Sequence, residues 1–112
     1  MASPTSRSLD YCRKLKWEAG VVERYVHQIH KKFDLFGGID LIALDGKRGS
    51  LGIQATTGDH AAERYAKCRA EPRLRAWVAA GNRLEVWGWS LKGARGKRKT
   101  WQLDRRPVAF KE

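Results

Sequence analysis

Asp40 and Gln54 stand out because each is a polar residue in a run that is otherwise apolar, IDLIAL and LGIQAT. A lone carboxylate in such a run is costly, so Asp40 calls for a charged partner or a metal ion. Gln54 lies across a predicted hairpin from it, which brings the two side chains together at one end of a sheet. Gln54 then reads in two ways, as a member of a polar site or as a residue that hydrogen-bonds Asp40 or a backbone group.

The elements that must position these residues follow from local pattern. Ser3-Pro4 and Ser6 offer helix starts, and Leu9, Tyr11, Cys12, Leu15 and Ala19 recur on one face of a helix predicted to end near Gly20. Residues 21–26 are β-branched and aromatic and read as a strand. Residues 31–38 form a connection in which Gly37-Gly38 permits a turn. The runs IDLIAL and LGIQAT, joined by DGKRGS, read as an antiparallel hairpin of buried strands. Asp59 is expected to cap a helix reaching about Ala70, with Pro72 stopping it. Residues 74–79 read as another strand, and RLEVWGWS and KRKTWQL as two more, joined by LKGARG. The expected class is α/β (α+β), one domain over residues 1–112 with a core at about 6–80 and a C-terminal β-hairpin at about 83–103.

The chain has 112 residues, a formal net charge of +11 and a hydrophobic fraction of 42% with five Trp. This size suits one domain and one modest core. The composition is too apolar for a disordered basic tail, and no apolar run is long enough for a membrane span. A basic excess of this size answers a polyanion, because each Lys or Arg that neutralises a phosphate releases counterions, and nucleic acid is the leading partner. Positions 91–112 carry eight basic and two acidic residues. Cys12 and Cys68 form no CxxC pair and suit buried thiols in a reduced compartment. The start, MASPTSRSLDY, lacks the apolar run of a secretory signal, so an intracellular location is expected.

The segment GIDLIALDGKRGSLGIQATT resembles the core of the PD-(D/E)xK nuclease superfamily, with an acid on one strand and an acid-x-Lys triplet on the next. Asp40 matches the first acid, and Gln54-Ala55-Thr56 occupies the triplet. The surrounding order of helix, three strands, helix and strand is similar to the restriction-endonuclease-like core. It most resembles small Holliday-junction-resolvase-like and virus-type replication-repair nucleases of phage or prophage kind. The resemblance implies Mg²⁺ (or Mn²⁺), held by hard oxygen ligands, with Asp40 as the bridging carboxylate, Gln54 as a neutral ligand and the Ala55 carbonyl as a further one. It also implies a further acid from the first helix or strand, with Glu23 favoured over Asp10. Glu18, at the margin of the first helix, and Asp34, which could instead cap the Gly37-Gly38 turn, are also candidates. Thr56 stands where the family carries lysine, and it can hydrogen-bond but not supply a cation. Either a cation comes from a nearby helix, with Lys67 a candidate, or the chain binds without cutting.

Outside the triplet, Trp87 and Trp89 share one face of their strand, and Trp101 lies on the partner strand beside Lys97, Arg98 and Lys99. Such a cluster can stack unpaired bases while cations hold phosphate, or it can pack onto the core. Arg24 is a further phosphate-contact candidate, and His27 and His30 read as proton shuttles or surface residues. The expected function is metal-dependent endonucleolytic cleavage of branched or structured DNA, with a homodimer implied by the resemblance. The alternatives are a catalytically degenerate DNA-binding protein of the same fold and a protein-interaction module using the Trp-rich hairpin.

Overall fold

The computed structural model describes residues 2–110 and is a mixed α/β structure. The chain runs α1 (Pro4–Lys14), β1 (Glu18–Val21), β2 (Arg24–Val26), β3 (Lys31–Phe33), β4 (Leu41–Asp45), β5 (Gly49–Thr57), α2 (Ala61–Arg69), α3 (Pro72–Ala79), β6 (Arg83–Lys92) and β7 (Thr100–Pro107). The main sheet has the order β1-β4-β5-β6-β7, and β2 and β3 form a separate two-stranded ribbon. Among the described residues only β5 and β6 pair in parallel within the main sheet, an arrangement that needs the crossover supplied by α2 and α3.

Strand alternation divides the core between the two faces of the sheet. Leu51 and Ile53 of β5 and Trp87 of β6 are buried with Cys12 of α1, whereas Leu84 and Val86 are buried with Ala61, Cys68 and Leu74 of α2 and α3. Helix α1 therefore covers one face and the α2–α3 pair the other. Both cysteines are free and buried, as expected for two thiols that form no CxxC pair.

The first helix is shorter than its apolar spacing suggests. Ser3 caps it by accepting the Ser6 N–H at 3.1 Å, with Pro4 in the first turn. Its end is a Schellman closure, in which Trp17 N–H donates to Cys12 C=O at 3.0 Å and Lys16 N–H to Arg13 C=O at 3.0 Å. Lys16 takes the left-handed conformation with φ 62°, a role usually given to glycine. No glycine marks this stop in the sequence, and Glu18 and Ala19, expected in the helix, belong instead to edge strand β1. Lys16→Gly is expected to stabilise the protein by about 1 kcal/mol, measured by urea unfolding, because it removes the left-handed penalty of a side chain.

Further expectations change. Residues 31–33, expected in a connection, form strand β3 and pair with β2. The strand anticipated over 21–26 is two strands, broken at Val22 and Glu23, whose N–H groups both donate to Asp40 C=O, at 2.8 and 3.3 Å. Residues 74–79 lie in helix α3 rather than a strand: Glu71 caps it by accepting the Arg73 N–H at 3.3 Å, Pro72 occupies its first turn, and Leu74, Trp77 and Val78 follow helical spacing into the core. Asp59 accepts from Thr57 Oγ1 at 2.5 Å and lies in a 3₁₀ turn; α2 begins at Ala61 with no side-chain cap.

Candidate metal centre and nucleic-acid face

Asp40 sits just before β4, at the end of the sheet where β5 leaves for α2. Its N–H donates to Ile53 C=O at 2.8 Å, which locks it beside the outgoing end of β5. Its side chain is 3% exposed, and Oδ2 accepts from the Gln54 amide nitrogen at 2.6 Å and from Ala55 N–H at 2.9 Å. Gln54 thus faces Asp40 as a hydrogen-bond donor, the second of its two sequence readings, and Ala55 meets Asp40 through its N–H. Together they fix the carboxylate's orientation.

The turn DLFGGID returns a second acid to the same place. Asp34 C=O accepts the Gly37 N–H at 3.2 Å, Leu35 and Ile39 bridge, and the Asp34 side chain turns toward Asp40. Glu23, immediately before β2, completes the group, and ligand atoms of Glu23, Asp34 and Asp40 all lie within 4.8 Å of one another. Three converging carboxylates of this kind can hold a metal ion. Burial above all, then the hydrogen bond and charge of Asp34 and the charge of Glu23, against the opposing Ala55 N–H, together push the Asp40 carboxyl up to about 8. A bound cation would offset both the burial of this carboxylate and the like charges beside it, and the donors are all hard oxygens.

Gly38 permits the close approach that brings this turn onto the core. A Cβ there would lie 2.7 Å from Leu74 Cδ1 and 3.3 Å from Cys68 Sγ, both on buried residues. Gly38→Ala is therefore expected to destabilise the fold by about 1–3 kcal/mol in chemical denaturation, and to loosen the Asp34–Asp40 pair with it.

A cleft of about 530 Å³ opens over the acids. Its rim is basic: Lys32, which pairs with Glu23 at 3.6 Å, and His60, Arg64 and Lys67 from the α2 side. Residues 60, 64 and 67 recur at helical spacing, which brings His60 and Arg64 to the same side of the cleft as Lys67. The first turn of α1, from Ser3 to Thr5, closes another side, and Thr56, 7% exposed, lines the floor.

Other candidates lie elsewhere. Asp10 is exposed on α1, paired with Arg13 at 3.1 Å, and borders a different cleft; it does not join the acids. Glu18 is exposed on β1 and borders a third. His27 and His30 are exposed and do not line the acidic cleft. Trp87 and Trp89 are 0% and 8% exposed, so neither offers a free face to a base. They anchor α1 instead: Tyr11 packs edge-on against both, Trp87 N–H donates to Glu85 Oε1 at 2.9 Å and Trp89 N–H to Ser8 Oγ at 2.9 Å. Alternation alone could not tell a stacking platform from a buried strand whose indole N–H groups find partners inside. Trp101 is 46% exposed, with the Arg7 guanidinium 3.6 Å above its ring. Lys97, Arg98 and Lys99 are exposed in the β6–β7 connection. This connection leaves the end of the sheet that holds Asp40, because β5 and β6 run parallel and Thr57 pairs with Trp89. Arg24 is exposed at the root of the β2–β3 ribbon.

No helix among the described residues is long and apolar enough to cross a membrane. Comparison with known proteins returns no matching family model, no matching curated protein and no matching solved structure.

Proposed function

We propose that the protein is a metal-dependent endonuclease that hydrolyses phosphodiester bonds in branched or structured DNA. The observation that carries this reading is the placement of Glu23, Asp34 and Asp40 together on a strongly basic chain, in a cleft whose rim is cationic. Acids in the floor suit a divalent cation, and cations on the rim suit the phosphates of a polyanion. Mg²⁺ or Mn²⁺ held there would lower the pKa of an attacking water and neutralise charge on the phosphodiester.

The remaining work falls to the chain's own groups. Gln54 and Ala55 N–H hold Asp40 Oδ2, which fixes this carboxylate beside Glu23 and Asp34. Arg64 and Lys67 line the cleft and would supply the positive charge that Thr56 lacks, holding the scissile phosphate. Lys97, Arg98 and Lys99 extend the basic surface from the same end of the sheet. Symmetric cutting of two strands would require two copies of the chain, so a homodimer is the proposed working form.

The second reading, a DNA-binding relative without catalysis, is favoured by one feature: Gln54 and Thr56 contribute neither charge of the acid-x-Lys triplet. End-labelled duplex, flapped and four-way DNA incubated with Mg²⁺ or Mn²⁺ separates the two. Metal-dependent nicking is expected, with Arg64→Ala/Lys67→Ala slower by about 100-fold or more. Tight binding with no cleavage of any substrate would establish the second reading instead.

A further inference from the structure

The acids Glu23 and Asp34 stand at the two roots of the β2–β3 ribbon, and the ribbon itself has an unusual composition. Between residues 24 and 33 there is no acid, whereas Arg24, Lys31 and Lys32 are cationic. Of these ten positions only Val26 is less than exposed, and the two strands pack chiefly on each other rather than on the main sheet. Ile29, at the tip, is 59% exposed.

A small ribbon exposed on both sides has no core to hold it, yet this one carries its own bracing. Tyr25 packs edge-on to His27 with centroids 4.8 Å apart, and its hydroxyl lies 3.3 Å from His30 Nδ1. Arg24 and Lys31 sit over the Phe33 ring, at 5.8 and 5.6 Å. These contacts keep the ribbon shaped while its cations and its apolar tip stay in solvent. A two-stranded ribbon is narrow enough to enter a DNA major groove, and an exposed aliphatic tip can wedge between base steps, most cheaply where stacking is already interrupted.

We infer that the β2–β3 ribbon is a DNA-inserting finger, with Arg24 and Lys31 on phosphates and Ile29 wedged at a branch point. The inference deepens the nuclease reading and rests on it for the choice of DNA as partner. Because Glu23 and Asp34 are the finger's roots, a branch engaged by the tip is presented to the acids of the cleft. The finger thus supplies the preference for branched DNA that the cleft alone does not explain.

Binding measured by fluorescence anisotropy in EDTA tests this without requiring cleavage. Wild type is expected to bind four-way and flapped DNA about tenfold or more tighter than duplex, and Ile29→Ser to lose most of that preference while binding duplex normally. 2-Aminopurine at the branch point should brighten on binding wild type and stay dim with Ile29→Ser. Arg24→Ala/Lys31→Ala is expected to lower the salt-dependence slope by about 2 for every DNA. All substituted side chains are exposed or held only within the ribbon, and circular dichroism checks that the variants fold as wild type. If Ile29→Ser keeps the preference and the 2-aminopurine signal, if the double variant keeps the wild-type slope, or if wild type binds no DNA, the finger is overturned. Normal finger behaviour without any metal-dependent cleavage would overturn the nuclease reading alone and leave the finger standing.

Discussion

Asp40→Asn is expected to abolish metal-dependent DNA cleavage, by about a thousandfold or more, while making the metal-free protein more stable. The loss follows from removing the most buried of the three carboxylates, the one held in place by Gln54 and Ala55. A divalent cation's Lewis-acid contribution is worth several kcal/mol, and each 1.4 kcal/mol or so is a factor of ten in rate. The gain in stability follows from the same burial. Asp40 titrates near pH 8 in the folded chain against an ordinary carboxylate value of 3.8, so the folded state holds a proton that the unfolded state releases across that window. Its stabilising contribution is complete below the lower value and is lost as pH rises toward the upper one, by at most about 1.4 kcal/mol per pH unit. Asparagine keeps an oxygen that can accept from Gln54 and Ala55 but does not titrate. Thermal melts in EDTA should show wild type losing stability from about pH 5 to pH 8 relative to Asp40→Asn, and Mn²⁺ should restore wild type only. Equal pH profiles for the two proteins would contradict this electrostatic account.

Glu85→Ala is expected to cost about 3–5 kcal/mol of folding stability, the largest effect foreseen outside the acidic cleft. Glu85 lies on β6, 5% exposed, and both of its oxygens are engaged. Oε1 accepts from Trp87 N–H at 2.9 Å and Arg105 Nε at 2.8 Å, while Oε2 accepts from Arg105 Nη2 at 3.1 Å and Arg83 Nη2 at 3.0 Å. Arg83 also reaches Asp45 at 3.6 Å, an ion pair without a hydrogen bond. Burial raises the Glu85 carboxyl, but the donors from Arg105 and Trp87 and the charges of Arg105 and Arg83 outweigh it and hold the group below its ordinary value. Its stabilisation is therefore present above the ordinary carboxylate range and lost as pH falls through the lowered one. Urea unfolding at neutral pH should show the full deficit, and the gap between wild type and variant should narrow in acid. A neutral-pH loss below about 1 kcal/mol would mean that the network is no stronger than a surface pair.

Much of this architecture is legible in the sequence where a pattern is both periodic and punctuated. The β4–β5 hairpin has two apolar runs and an Asp-Gly turn, and its register puts Gln54 against Asp40. Helix α3 is equally marked, by Glu71, Pro72 and the spacing of Leu74, Trp77 and Val78, but the short run LRAWVA over residues 74–79 also satisfies a strand pattern. The end of α1 was not legible, because Lys16 fills the left-handed position without the glycine that would announce it. Asp34 could be weighed as a turn cap or a ligand; only the closure of the Gly37-Gly38 turn onto Leu74 and Cys68 turns it toward Asp40. Trp87 and Trp89 show the opposite limit. Their types and spacing suit base stacking, and their burial is set by Tyr11, Ser8 and Glu85, partners distant in sequence or shared with other networks.

The most direct test of the metal centre is anomalous diffraction from crystals of the protein soaked in Mn²⁺. A peak is expected between Glu23, Asp34 and Asp40, with carboxylate oxygens at about 2.1 Å, the distance typical of small divalent cations. A well-ordered map with no peak among these three residues, or with Mn²⁺ only on acids outside the cleft, would contradict the claim that they form a metal centre.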